Sequence, residues 1–261
     1  MPRAKRYYIP GCVWHITHRC HKKEFLLKFA KDRDRWLELL YKAKHRYGLV
    51  VLNYIVTSNH IHLLVSDDGD RDTIPKSMQM VAGQTGQAYN RRKKRQGAYW
   101  EDRYHATAVE KGSHLFQCLV YIDMNMVRTG VVSHPSMWRW SGYNEIQNPK
   151  QRYATINYNR LSNLLGLDSI SMLKKVYAKL LDDALKADRY GRDRKWSTAI
   201  AVGSEDYIGH IKKELGIRAV HRKKTQINKD FELREDEFPY SADFDPQKAG
   251  LRQDNRLFWD I

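Results

Sequence analysis

The chain has 261 residues, 42% of them hydrophobic, enough for one large core or for a main domain with an appendage. Lys and Arg number 46 against 30 Asp and Glu, and the net charge of +16 favours a polyanionic partner, nucleic acid first. No stretch nears the roughly 20 apolar residues of a membrane span, the start Met1-Pro2-Arg3-Ala4-Lys5-Arg6 lacks an apolar signal core, and three cysteines (Cys12, Cys20, Cys118) give neither a disulfide framework nor a metal knuckle, so a reducing, cytoplasmic setting is expected.

Residues 12–19 alternate and are rich in β-formers, which predicts a first strand opened by Pro10-Gly11. Trp36, Leu39, Leu40 and Ala43 carry helical spacing over 31–47, ended by Gly48. Two apolar runs, 50–56 and 60–66, read as strands joined by Thr57-Ser58-Asn59 in a tight hairpin, and Asp67-Asp68-Gly69-Asp70 closes the second. A helix is predicted over 74–95, a short strand over 104–109, and a third helix over 113–127 with Ser113 as its N-cap. The order β-α-β-β-α-β-α implies an α+β fold, a ferredoxin-like split β-α-β antiparallel sheet with helices mainly on one face. A mostly helical C-terminal extension follows, with helices over 161–190 and 205–215 and a charged, flexible tail from residue 218.

The strand 60–66 holds His60 and His62 around Ile61. Alternate side chains of a strand share a face, so the two imidazoles sit about 7 Å apart and are able to share a divalent metal. A His-x-His pair is also often two half-exposed polar positions, and the third ligand and a nucleophile must come from elsewhere. The third helix offers Tyr121 and Asn125, four apart and therefore on one face. If that face packs over His60 and His62, the Asn125 carbonyl oxygen is a candidate ligand and the Tyr121 phenol stands beside the metal. The ordinary alternative is a structural Tyr-Asn pair whose hydroxyl finds a partner in the core.

The segment Ser58-Asn59-His60-Ile61-His62-Leu63-Leu64 resembles the His-hydrophobic-His motif of the HUH single-tyrosine transposases. Tyr121-Ile122-Asp123-Met124-Asn125-Met126-Val127-Arg128-Thr129-Gly130 is similar to their catalytic segment, which usually reads Tyr-Ile-x-x-Asn-Pro-Val-Arg-Ala-Gly. Flanking blocks (Tyr8-Ile9-Pro10-Gly11, Tyr47-Gly48-Leu49, Arg103-Tyr104, and Trp138 to Tyr143) extend the likeness in order over about residues 3–148, most closely to the REP-associated tyrosine transposases. Met126 replaces the usual proline, and Asp123 stands at a variable position. The resemblance implies an HUH nuclease domain over 1–148, a helical extension over 149–217 with DNA binding as a candidate role, and the tail over 218–261. It implies that His60, His62 and Asn125 bind Mg²⁺ or Mn²⁺. It further implies that Tyr121 attacks a single-stranded DNA phosphodiester, leaving a 5′-phosphotyrosine and a free 3′-hydroxyl. Two rivals are a catalytically silent hairpin-binding regulator and a metallohydrolase in which water attacks.

For that DNA, single-stranded or folded into palindromic hairpins, the sequence offers the N-terminal arm Arg3, Lys5 and Arg6 and the run Arg91, Arg92, Lys93, Lys94 and Arg95 as phosphate contacts. Arg103 joins them, and Trp100 and Tyr104, with Tyr99, Trp138 and Trp140, offer stacking surface. The bland alternatives are a solvated helix end for the basic run and core packing for at least one of Trp138 and Trp140. Arg218, Arg222, Lys223 and Lys224 extend the footprint if the tail orders. The expected protein is a nucleoid-associated monomer or weak dimer without a membrane segment.

Overall fold

The computed structural model describes residues 7–188, 191–220, 222–227 and 230–235. Strands β1 (Val13–Arg19), β2 (Val50–Val56), β3 (His60–Ser66) and β4 (His105–Val109) form an antiparallel sheet in the order β2-β3-β1-β4. That order, with helix α1 (Ala30–Tyr47) crossing from β1 to β2 and helix α2 (Thr73–Lys93) from β3 to β4, is the split β-α-β arrangement expected from the element order. β3 is interior, which explains its near-continuous apolar run after the histidines: Ile61, Leu63, Leu64 and Val65 are fully buried.

The period of two divides the strands cleanly. Register places Thr17 opposite His62 and Arg19 opposite His60, so β1 presents His15, Thr17 and Arg19 on the histidine face. Trp14, Ile16 and His18 share the opposite face with Ile61 and Leu63. There α1 and α2 close the core with Trp36, Leu39, Leu40, Met78 and Val81, all at most 2% exposed. Removing one such side chain, as in Leu63→Ala, costs about 2–5 kcal/mol. Gly48 ends α1 in the left-handed conformation (φ 73°), returning its N–H to the Lys44 carbonyl at 3.0 Å.

On the histidine face lies helix α3 (Ser113–Asp123), followed after Met124 by the short α4 (Asn125–Arg128). The helix predicted over 113–127 is therefore interrupted at Met124. Its N-cap is Gly112, at φ 71°, and Ser113 is the first helical residue. Helix α5 (Gly142–Gln147) follows, and α6 (Tyr158–Leu164), α7 (Ile170–Lys186), α8 (Lys195–Thr198) and α9 (Glu205–Leu215) belong to the extension. The single helix predicted over 161–190 is two, because Gly166 at φ 67° ends one and the Ser169 hydroxyl caps the next through the Met172 N–H.

The segment from residue 218, expected as a flexible tail, contains a hairpin. Strands β6 (Arg222–Ile227) and β7 (Asp230–Glu235) pair with each other, and β7 pairs with the short β5 (Ala201–Gly203). β5 runs parallel to β4, so the sheet continues without a break from the first half of the chain into the extension. Among the described residues no helix is long and apolar enough to cross a membrane.

Candidate active site

His60 and His62 come together with ring centroids 5.0 Å apart. The hairpin before β3 fixes the first: the Thr57 N–H and hydroxyl both donate to the His60 carbonyl, at 3.0 and 2.8 Å. The His60 Nδ1 lies 2.7 Å from the Asn59 Oδ1 and 3.0 Å from the Thr57 hydroxyl. The His62 Nδ1 lies 2.9 Å from the Nε2 of His15, a residue the sequence reading did not single out. These contacts take up both Nδ1 atoms, so Nε2 is the nitrogen each ring has for a metal, the arrangement by which metal-binding histidines are usually oriented.

Burial lowers the His60 pKa to about 4, with Arg19, Arg128 and Arg192 adding to the fall. Burial also holds His62 well below the usual histidine range, helped by His15 and His60. Both rings are neutral at pH 7, as ligation requires.

α3 and α4 deliver the remaining groups. Asn125 is 5% exposed, and its amide nitrogen lies 3.1 Å from the His62 Nε2, donating an N–H to the lone pair that would otherwise meet a metal. The Tyr121 ring meets His62 edge-on at 5.7 Å. Burial raises the Tyr121 pKa, opposed by the positive charges of Arg128 and Arg192. The Arg128 guanidinium lies 4.4 Å over the Tyr121 ring and donates to the Tyr121 carbonyl at 3.0 Å, so one side chain both closes the end of α3 and faces the phenol. From the extension, the Trp196 ring packs 6.0 Å from Tyr121 and 6.4 Å from His15.

Asp123, between Tyr121 and Asn125, is a buried anchor. The Asn53 amide donates to its carboxylate at 2.9 Å, and the Tyr177 hydroxyl contacts both that carboxyl and the Leu119 carbonyl at 3.0 Å. One hydroxyl has one proton to donate, so when it goes to Leu119 a protonated Asp123 supplies the other. Burial pushes the Asp123 pKa up to about 7, which suits that role. Gly142 is required beside this anchor, since a Cβ there would lie 1.9 Å from the Asn53 Oδ1.

Two neutral imidazoles and an amide form a mixed nitrogen and oxygen donor set that fits a divalent ion such as Mn²⁺ or Mg²⁺. Among the described residues no cluster of three or more His, Cys, Asp and Glu is arranged for a metal. The third donor here is an amide.

The candidate DNA-binding residues separate. Arg3, Lys5 and Arg6 lie outside the described residues. In the basic run, Arg92 pairs with the buried Asp32, and Arg95 donates to the Asn90 side chain and to the Ala98 carbonyl. Both brace the helix end, while Arg91, Lys93 and Lys94 stand exposed. Arg103 is exposed. Tyr104 and Tyr99 are buried at 7% and 4%, which withholds them from stacking on bases. Trp100 is half-buried, stacked on His18 at 4.1 Å with its indole N–H on the Ala82 carbonyl. Trp138 is buried, with its indole N–H on the Val56 carbonyl. Arg222 and Lys224 are engaged within the protein, by Tyr7 and Glu205.

The sequence profile of the IS200-like transposases matches residues 8–125. Among solved structures, a REP-associated tyrosine transposase bound to a REP hairpin is similar at 20% identity and a TM-score of 0.49, covering 56% of this chain and 84% of that one. A candidate transposase from Deinococcus radiodurans R1 is similar at 17% identity and a TM-score of 0.32, covering 41% and 86%. No curated protein matches the chain. His60, His62 and Tyr121 lie inside the segment that matches the IS200-like transposase profile, and Asn125 is its last residue.

Proposed function

We propose that the protein is a metal-dependent endonuclease and strand transferase for single-stranded DNA flanking palindromic hairpins. Its nucleophile is Tyr121, and His60, His62 and Asn125 hold the metal. The observation that carries this reading is the convergence of one phenol, two neutral imidazoles and one amide in a single cluster, buried but for the half-exposed His60. A divalent ion held by His60, His62 and Asn125 would polarise the phosphoryl oxygen and favour the phenolate.

The Tyr121 oxygen forms a bond to phosphorus as the bond from phosphorus to the 3′-oxygen breaks. The phenol gives up its proton and the 3′-oxygen leaves as a hydroxyl. Because the phosphotyrosine ester keeps the energy of the broken linkage, a second 3′-hydroxyl reverses the step and joins strands. His15 holds His62, Asn59 holds His60, and Arg128 faces the phenol where negative charge develops.

The test is a denaturing gel of the full chain incubated with Mn²⁺ and a pool of hairpin oligonucleotides bearing randomised single-stranded flanks. A covalent adduct in the wild type and none in Tyr121→Phe is expected. Cleavage without adduct indicates the water-attack hydrolase, and binding without cleavage indicates the silent regulator.

A further inference from the structure

β1 and α1 are joined through a tight turn, His21 to Glu24, whose central residues are Lys22 (φ 51°, ψ 25°) and Lys23 (φ 61°). The Glu24 N–H donates to the His21 carbonyl at 3.0 Å. Left-handed backbone at both central positions is the type I′ pattern, which Asn-Gly satisfies at least cost and long L side chains satisfy poorly. Two lysines occupy it, and both are exposed. Such outliers persist where the surroundings over-determine them, and they gather at binding sites.

The surroundings here are firm. Leu26 and Leu27 are buried at 5% and 0%. The Leu27 N–H donates to the Ser58 carbonyl at 2.9 Å, and Arg33 donates to the Leu27 carbonyl at 3.1 Å. The turn is also tied to the candidate active site by one side chain. The Asn59 amide donates to the Lys23 carbonyl at 3.2 Å, while its Oδ1 lies 2.7 Å from the His60 Nδ1. On β1 the exposed Arg19 stands directly opposite His60. Just past the turn Phe25 is 65% exposed and Phe29 49%, and the Lys93 ammonium lies 5.3 Å from the Phe29 ring. An exposed aromatic beside a rigid pair of cations, in a chain of net charge +16, is the composition of a single-strand platform.

We infer that the Lys22-Lys23 turn and Phe25 form a track for unpaired DNA leading to His60, with the lysines on phosphates and Phe25 under a base. The inference rests on the nuclease reading above and adds the path of the strand. Duplex DNA presents no base face to Phe25, which separates the two nucleic-acid forms.

Lys22→Asn combined with Lys23→Gly gives the turn its preferred sequence while removing both charges, so the fold is kept and the melting temperature is unchanged or higher. The probe is a fluorescein-labelled oligothymidine of about 16 nucleotides, titrated with the full chain by anisotropy across a range of salt. The double variant binds several-fold more weakly, with a log–log salt slope shallower by about 1.4, from two contacts at roughly 0.7 each. Phe25→Ser weakens binding about fivefold or more with the slope unchanged.

Wild-type affinity and slope in the double variant overturn the track and leave the nuclease reading standing. Equal loss by Phe25→Ser on a duplex of the same length overturns the assignment to unpaired DNA. Absence of a Tyr121 adduct in the wild type overturns the nuclease reading and leaves this binding measurement intact.

Discussion

The Nε2 of His15 lies 2.9 Å from the Nδ1 of His62, in a pair of rings closed off from solvent. Only one of the two nitrogens carries the proton. If His62 is to present its Nε2 lone pair to a metal, its own proton must sit on Nδ1 and be donated to His15. His15→Phe keeps an aromatic ring and removes the acceptor. The expected result is a loss of about 10–100-fold in Mn²⁺ affinity by calorimetry, the range seen when such supporting partners are removed. Unaltered affinity would reduce His15 to a packing residue.

The proposed ligand set makes unequal demands on its members. His60→Ala and His62→Ala each remove a neutral nitrogen donor that water replaces poorly, so metal-dependent cleavage is lost in both. Asn125→Ala removes a neutral oxygen donor whose place water takes, and its effect is milder. Calorimetry with Mn²⁺ orders the three variants. Wild-type affinity in the His60→Ala protein would show that the ligands are other residues.

The basic run at the end of α2 divides into two chemical roles. Asp32 is 4% exposed and its partner is Arg92. Arg92→Ala strands a buried carboxylate, and denaturant unfolding should show a loss of about 3–5 kcal/mol. Lys93→Ala and Lys94→Ala leave stability nearly unchanged and lower the salt slope of DNA binding by about 0.7–0.9 each. A stability loss shared equally by the three would mean that the whole run is a brace.

Much of this architecture could be read from residue patterns. The His60-Ile61-His62 alternation, and the four-residue spacing of Tyr121 and Asn125, each place side chains on one face of one element. Local geometry then forces them to point together. His15 escaped because its role depends on strand register: it sits opposite Leu64, two pairs beyond the Thr17 and His62 position and so on the same face, and register is a tertiary property. Trp196 and Arg192 reach the site from the extension, and nothing near Tyr121 in sequence announces them. Asp123 passed as a variable position because a carboxyl on a helix is usually solvated, whereas here Asn53 and Tyr177 bury it. The hairpin of β6 and β7 was hidden by its charge. Lys223, Lys224, Glu232 and Arg234 read as a solvated tail, and its contribution to the core is chiefly Leu233, fully buried.

Acid should destabilise the metal-free protein. Burial lowers His15 from 6.5 to about 3 and His60 from 6.5 to about 4. The unfolded chain therefore takes up protons below pH 6.5 that the folded one refuses, and each group costs about 1.4 kcal/mol per pH unit as the pH falls toward 4. Asp123, raised from 3.8 to about 7, acts oppositely: its contribution is full below pH 3.8 and is lost as the pH rises through 7. Two histidines against one carboxyl leave a net loss on acidification, and His62, also lowered, adds to it. Thermal melting in chelator should fall from pH 6.5 to pH 4.5, and more steeply in Asp123→Asn, where the opposing group is gone. A flat profile in both proteins would contradict the buried neutral histidines.

Tyr121 should act in the same chain as His60 and His62. Within one chain the phenol ring already stands 5.7 Å from His62, and α3 needs no partner to reach it. The far side of β4, which would otherwise be an open edge beside this site, is taken by β5, with the Ala108 N–H donating to the Ile200 carbonyl at 2.8 Å and the Glu110 N–H to the Val202 carbonyl at 3.1 Å. An edge covered from within offers no row of free backbone groups for a second copy to pair with. The expected result in light scattering is a monomer or weak dimer. Mixing His60→Ala protein with Tyr121→Phe protein then restores no adduct, because neither chain holds both an intact metal site and a nucleophile. In an exchanged dimer the intact histidines of one chain would meet the intact tyrosine of the other. Robust rescue together with a dimer mass would therefore show that the active site is assembled between chains.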